Sequence, residues 1–370
     1  MLRTFADIPT EVRRRLDGGR RVLLVLLDGF GLPFLDRHRD HPLVRSLSVT
    51  PLQTQFPSTT TAHVTTIHFG VPVEDHGLYE WNVLEPLLGT MICPLRFNLA
   101  GSAVDGDLAG QLDPSVLAPG PTFYETLGVP SYVAQPAAIS DSIYTRLATR
   151  GATVSGFAQL DRGIADLAGS LAATDAPAYG LLYWDVIDRT GHEQGPSSPG
   201  FDVASAAALD SLWPTLRRLA GRDVDVLVTA DHGQVDVGPD RVDYLDDIWP
   251  ELASALSHPR PAGSSRDAFL HVNPGSRDAV IDALSVRLGE RARVLPAAEL
   301  VPAPGPRLRE RLGDVVVLPA PGRQVWLRSA AANERWFRGQ HGGLHPAETS
   351  TYLAELQPSV SPSAPAGRRP

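Results

Sequence analysis

Three aspartates and three histidines stand in this chain near places where an apolar run stops. Val22-Leu23-Leu24-Val25-Leu26-Leu27 is followed by Asp28-Gly29, and Val224-Asp225-Val226-Leu227-Val228-Thr229-Ala230 by Asp231-His232-Gly233. The run at 178–184 leads into Asp188-Arg189-Thr190-Gly191-His192, and late in the chain comes Gly339-Gln340-His341-Gly342-Gly343. Carboxylate oxygen and imidazole nitrogen are donors that divalent transition metals accept. The adjacent Asp231 and His232 can share one cation, and the six groups divide into two sets of one-ion size. Two ions about 3.5–4 Å apart can clamp the attacking and leaving oxygens of a phosphoryl transfer. Each residue also has a plainer use. Asp28 and Asp231 could cap helices, His192 could be a surface histidine, and His341 could be a turn residue among glycines. Their joint occurrence is harder to explain that way than any one of them alone.

The elements that must carry these groups read as α/β. The runs at 21–27, 178–184 and 224–230 are short, aliphatic and β-branched, as fully buried strands are, and open α/β sheets place ligands at the carboxyl ends of their strands. Strands are also expected at 48–56 and 131–135. Helices are expected at 11–16, capped by Thr10, at 122–127, and at 203–219 with a possible kink at Pro214. Another starts among the hydroxyls of Ser58-Thr59-Thr60-Thr61 and stops at Gly70-Val71-Pro72. Segment 74–98 reads as an irregular excursion near the site, 105–120 as loop, and 185–200 as an ordered loop. The expected architecture is a mainly parallel central sheet sandwiched by helices, in a single catalytic domain over 1–357. Within it, about 236–338 changes to a strand-helix-strand-strand-strand pattern, a small inserted α+β subdomain. The Ser/Pro/Ala/Arg-rich tail, 358–370, reads as disordered.

Composition narrows the chemistry. With 370 residues, 43% hydrophobic and 20% charged, the chain can bury a large core. A net charge of -9 gives no global field for duplex nucleic acid, so an anionic substrate must be drawn in locally. There is no lysine, which excludes Schiff-base catalysis and the Gly-Lys-Ser/Thr phosphate loop. Cys93 is the sole cysteine, so no internal disulfide or cysteine-based zinc cluster can form. Gly29-Phe30-Gly31 lacks the third glycine of a dinucleotide-binding turn, since Phe34 occupies it. The polar N-terminus and short first apolar run predict a cytoplasmic protein with no membrane partner. Oligomeric state is not indicated.

The ordered set of motifs resembles the alkaline phosphatase superfamily, and within it the nucleotide pyrophosphatase/phosphodiesterase branch. The matching pieces are Leu26-Leu27-Asp28-Gly29; Phe56-Pro57-Ser58-Thr59-Thr60; Gly70 with His76-Gly77; Asp188-Arg189-Thr190-Gly191-His192-Glu193-Gln194-Gly195-Pro196; Thr229-Ala230-Asp231-His232-Gly233; and His341-Gly342-Gly343-Leu344. The resemblance implies one metal held by Asp188, His192 and His341 and a second held by Asp28, Asp231 and His232. Zinc is the ion it implies, and the oxygen/nitrogen donor set suits zinc while also admitting manganese or iron. It further implies a Thr or Ser nucleophile at a helix start; the spacing from Gly70 and His76-Gly77 favours Thr60, with Thr59 the fallback. Asn82 is expected to bind a phosphate oxygen, and Trp81 beside it could stack on a ring. One departure stands out. Where the nucleotide pyrophosphatases carry their threonine, directly before Phe-Pro, this chain has Gln55.

The expected function is that of a bimetallic phosphoesterase acting on phosphodiester or pyrophosphate bonds of a small, nucleotide-like anionic substrate, through a covalent phospho-threonine. Alternatives on the same core are a phosphomonoesterase and a cofactor-independent phosphosugar mutase, the latter disfavoured by the lack of a large inserted phosphate-handling domain. A non-enzymatic metal or phosphate binder is the remaining alternative.

Overall fold

The first strand, β1 (Arg21–Leu27), is buried at every position after Arg21, as a strand covered on both faces must be. Its side chains alternate between two cores: Val22, Leu24 and Leu26 pack on one face, Leu23, Val25 and Leu27 on the other. The computed structural model describes residues 2–220, 224–331 and 337–357. Around β1 lie β2 (Leu47–Gln53), β3 (Ser131–Pro136), β4 (Thr153–Phe157), β5 (Tyr179–Trp184), β6 (Val224–Thr229) and β7 (Ser350–Leu356). They form one seven-stranded sheet in the order β2-β7-β6-β1-β5-β3-β4. Pairings among β6, β1, β5, β3 and β4 are all parallel, and only β7 runs against its neighbours.

Helices cover both faces. On one side, α1 (Ile8–Asp17) inserts Ile8, Val12 and Leu16, and α2 (Thr60–Phe69) inserts Ala62, Val64 and Ile67. On the other, α3 (Leu160–Ala172) and α5 (Pro199–Leu219) contribute Ile164, Leu167, Leu209 and Leu212. Between them α4 (Val186–Gln194) occupies part of the segment expected to be an ordered loop. That expectation is corrected. Its composition, Val-Ile-Asp-Arg-Thr-Gly-His-Glu-Gln, offers little apolar periodicity, and Gly191 weakens helix propensity. The glycine leaves room for Gln234, whose Oε1 a Cβ there would meet at 2.2 Å. β4 and α3 also go beyond the elements read from sequence, and the segment expected to be irregular holds a small three-stranded sheet built from Val83–Glu85, Thr90–Cys93 and Asn98–Leu99. The tail 358–370 lies outside the described residues.

After β6 the chain leaves through the strand Val235–Tyr244 and returns through Gly339–Gln340, which pairs with its first residues. In between, Ala268–Leu270, Val315–Pro319 and Ala292–Pro296 form an antiparallel sheet. One face, with Ala268, Leu270, Val315 and Val317, packs on the helix Arg277–Leu288. The other face sends Phe269, Val316 and Leu318 into the core beneath α2. The insertion is thus fused to the main body through hydrophobic contact.

Two polar contacts reinforce that junction. Arg266 and Glu348 are both buried and pair through two bonds, Nε–Oε1 at 3.1 Å and Nη2–Oε2 at 3.0 Å. Arg266 Nη1 donates to the carbonyls of Pro319, Ala320 and Arg323, while Glu348 accepts from the Gly343 amide at 3.0 Å. Glu80 and Asp267 form the second contact, a buried carboxyl pair also held by Ser264, whose Oγ donates to Asp267 at 2.7 Å. Burial pushes Glu80 up to about 7, and burial plus the charge of Glu80 holds Asp267 well above the usual carboxylate range.

Removing one partner of the buried ion pair strands a charge. Glu348→Ala is therefore expected to lose about 3–5 kcal/mol of unfolding free energy, and the Arg266→Met/Glu348→Leu double variant to regain most of it. A smaller loss on denaturant unfolding of Glu348→Ala than of the double variant refutes this account. For the carboxyl pair, the folded protein binds more protons than the unfolded chain between the ordinary carboxylate range and about pH 7. Stability should accordingly fall as pH rises through that window. With saturating Zn2+ present, Glu80→Gln should flatten the decline in denaturation midpoint between about pH 5 and pH 8; an unaltered slope locates its source elsewhere.

Candidate active site

The strand order places β1 between β6 and β5, so their carboxyl ends deliver neighbouring groups. Asp28 follows β1 directly, and Asp231 and His232 follow β6 after Ala230. Asp188 and His192 sit four residues apart on α4, one above the other on the same face. His341 arrives on the return from the insertion, beside Gly339–Gln340. The six residues meet as two groups, Asp188/His192/His341 and Asp28/Asp231/His232, in which the candidate ligand atoms lie within 4.8 Å of one another. The His232 and His341 rings stack with centroids 3.6 Å apart, which sets the two groups side by side.

The tautomers follow from the hydrogen bonds. The Nδ1–H of His192, His232 and His341 donates to the carbonyls of Gly339, Gly233 and Ser58 at 2.8, 3.0 and 2.9 Å. A carbonyl only accepts, so the Nε2 atoms carry the inward-facing valence. His192 Nε2 lies 3.2 Å from Asp188 Oδ2, and His341 Nε2 lies 3.7 Å from Asp188 Oδ1. His232 Nε2 lies 3.5 Å from Asp28 Oδ1 and 3.4 Å from Asp231 Oδ2. Burial pulls His232 and His341 well below the usual imidazole range, so these two present lone pairs to carboxylate oxygens. Lone pairs facing carboxylates are stable around a cation and repulsive without one.

The carboxylates tell the same story. Burial, then the charges of Asp231 and Asp188, drives Asp28 well above its usual range, and burial pushes Asp231 up to about 7. Asp188 is held low: burial opposes this most, but His192, His341 and the Gln234 hydrogen bond together outweigh it. Asp231 Oδ2 is buried with no hydrogen-bond partner, an orphaned acceptor aimed at His232. The donor set, the tautomers and the orphaned oxygen all fit two divalent ions.

Thr60 is the first residue of α2, and its hydroxyl lies 3.3 Å from Asp28 Oδ1 and 3.1 Å from His232 Nε2. Thr59 is the N-cap: its oxygen accepts from the Ala62 amide and donates to the Tyr79 carbonyl at 2.9 Å. Of the adjacent threonines, then, only Thr60 addresses the Asp28 group. Seven of the ten residues of α2 are Thr, Val, Ile or Phe, poor helix formers; the N-cap, the left-handed Gly70 at its C-terminus and burial along its length hold it. Gln55, at the position where the resemblance leads one to expect a threonine, is buried and bonded to Thr66 and the Val73 amide, each at 2.8 Å. It supports the helix instead of the chemistry. His63 bonds to Gln55 and Thr59 backbone, and His68 to Tyr124, so both are structural; His345 caps its own helix at the surface.

A cleft of about 700 Å3 opens onto these groups, with Asp28, Thr60, Asp188, His192 and His341 in its wall. Asn82 lines it, buried, its amide donating to the Gly263 carbonyl at 3.2 Å; Trp81 lines it at 45% exposure. Sequence reasoning passed over Tyr183 and Gln234, which donate to Asp28 and Asp188. Their partners are 155 and 46 residues away, so no local pattern marks them.

Known proteins share this architecture. Murine ectonucleotide pyrophosphatase/phosphodiesterase 5 superposes with a TM-score of 0.69 at 19% identity, covering 90% of this chain and 88% of that one. An inactive variant of it has been solved with AMP, and gives 0.69 at 20%. Phosphonoacetate hydrolase from Sinorhizobium meliloti 1021, in complex with phosphonoformate, gives 0.66 at 17%, covering 94% and 92%. In sequence, 86 residues are 31% identical to ectonucleotide pyrophosphatase/phosphodiesterase family member 3 of Rattus norvegicus. That match takes in 22% of this chain and only 10% of the relative's length. The model of type I phosphodiesterases/nucleotide pyrophosphatases matches residues 22–344, nearly the whole of the described fold, and the chain belongs to that family.

Proposed function

We propose that this protein hydrolyses phosphodiester or pyrophosphate bonds of a small, nucleotide-like substrate, with Thr60 as nucleophile. The observation that carries the reading is the Thr60 hydroxyl, set at the start of a helix and within 3.3 Å of both Asp28 Oδ1 and His232 Nε2. Asp28, Asp231 and His232 would hold one divalent ion and Asp188, His192 and His341 the other. Zinc is our choice for both. When bound, such ions neutralise phosphoryl charge and lower the pKa of a hydroxyl or water beside them.

The chain's own groups supply the rest. Thr60 attacks phosphorus, and its proton leaves through the acceptors that face its hydroxyl. The leaving group departs on the opposite side and a phospho-threonine forms, which water then hydrolyses. The free backbone amides at the start of α2 favour the phosphoryl oxygens. Asn82 uses one amide hydrogen on Gly263 and retains a second for a phosphoryl oxygen. Trp81 offers an exposed ring to the leaving or retained group. That a structural relative has been solved with AMP supports a nucleotide-like ligand.

The test is a panel of bis-p-nitrophenyl phosphate, p-nitrophenyl phosphate and nucleoside triphosphates. Diester or pyrophosphate turnover should exceed monoester turnover, and Thr60→Ala should lower kcat by roughly 10^3-fold or more, as removal of a nucleophile does. Wild-type turnover in that variant excludes Thr60. Dialysis against a chelator should abolish activity, and Zn2+, Mn2+ or Fe2+ added back singly should identify the working ion by the activity each restores. Undiminished turnover after complete demetallation overturns the two-metal reading.

A further inference from the structure

Each carboxylate at the paired sites has one oxygen already engaged by a protein donor. Asp231 Oδ1 accepts from the amides of Gly29 and His232 at 3.0 and 3.1 Å, leaving Oδ2 without a partner. Asp28 Oδ2 accepts from the Tyr183 hydroxyl, leaving Oδ1 toward His232 and Thr60. Asp188 Oδ1, which lies 3.7 Å from His341 Nε2, accepts from Gln234 Nε2, and the oxygen with no protein donor, Oδ2, stands nearer its histidine, 3.2 Å from His192 Nε2. The first arrangement comes from backbone; the other two come from side chains that the proposed chemistry does not use.

We propose that Tyr183 and Gln234 are positioning residues that occupy one oxygen of Asp28 and of Asp188, so that each carboxylate offers a single oxygen to its ion. This rests on the two-metal reading above. Three single-atom ligands per ion leave a coordination position for the reacting oxygens, as catalytic zinc sites require. A carboxylate with both oxygens free can grip an ion through both, a mode that Ca2+ accepts readily. It would fill the position that the substrate needs.

Both donors are built in. Tyr183 stands on β5, next to β1, with its ring packed against the core beside α2. Gln234 is 1% exposed and also donates to the Asp188 carbonyl at 3.0 Å. Its side chain is lodged between Gly191 and Gly339, where a Cβ would come within 2.2 and 2.7 Å of Oε1. Two glycines keep that space open on either side of it. The amide placed there is held on Asp188 by its two hydrogen bonds.

The experiment uses the full chain as Tyr183→Phe and Gln234→Met, each removing the donor and little volume. The apo proteins are titrated calorimetrically with Zn2+ and with Ca2+, and the Co2+-substituted forms are compared by visible absorption, which weakens as coordination number rises. We expect Zn2+ affinity at one of two sites to fall 10–100-fold, the Zn2+/Ca2+ preference to narrow, and Co2+ absorption to weaken. For bis-p-nitrophenyl phosphate, kcat should fall while KM changes little. Wild-type affinity, ion preference and Co2+ spectrum in Tyr183→Phe would overturn the proposal, whether or not Gln234→Met folds. If the unmodified protein binds two ions and cleaves the diester while both variants match it, only this inference fails. If the unmodified protein binds no divalent ion, the two-metal reading fails and takes this inference with it.

Discussion

Three carboxylates buried together, with only imidazoles for basic neighbours, are the constraint that the rest of the molecule answers to. Asp28, Asp188 and Asp231 have no arginine ion-pair partner among the described residues, and the chain has no lysine to offer. The nearest basic groups are imidazoles, two of which burial keeps neutral. Neutral imidazoles contribute lone pairs, not charge, so they deepen the deficit. Such a cluster is of a kind that a cation would stabilise, and a cation bound there would add to folding stability.

The fold meets this demand by rigidity. The three carboxylates project from the carboxyl ends of adjacent parallel strands or from a helix directly following one, where the ladder fixes their backbone. The second histidine of the Asp188 group, His341, lies outside the sheet and is brought back by the insertion. That is why the insertion is anchored so firmly. Arg266 grips Glu348, and Glu348 in turn grips the Gly343 amide, two residues from His341. Ser58 completes the arrangement, its carbonyl orienting His341 and its hydroxyl donating to the Gly343 carbonyl at 3.0 Å.

Much of this was legible in the residues because buried parallel strands write continuous aliphatic runs, and a polar residue at the end of such a run is conspicuous. Asp28, Asp231 and His232 were readable for that reason. Asp188 and His192 are marked by their motif, but the helix carrying them reads as loop, because its polar, glycine-containing sequence lacks the apolar stripe by which helices are recognised. Spacing could not fully separate Thr59 from Thr60. The distinction lies in which hydroxyl the cap consumes, a matter of one residue's backbone angles. Gln55 raised a doubt about the nucleophile that its two hydrogen bonds resolve into a structural role. Tyr183, Gln234, Arg266 and the Glu80–Asp267 pair were invisible, since each matters through a partner far away in sequence.

β7 lies between β6 and β2, although it is made from residues 350–356. Until that segment emerges during synthesis, β6 has no neighbour on that side, and β2 has no place in the sheet. A growing chain therefore displays an unpaired aliphatic edge, Val224–Thr229, through the synthesis of the whole insertion. Unpaired edges of this kind invite pairing with other chains. The last interior strand acts as a closing seam, and truncation before residue 350 would leave the Val224–Thr229 edge uncovered.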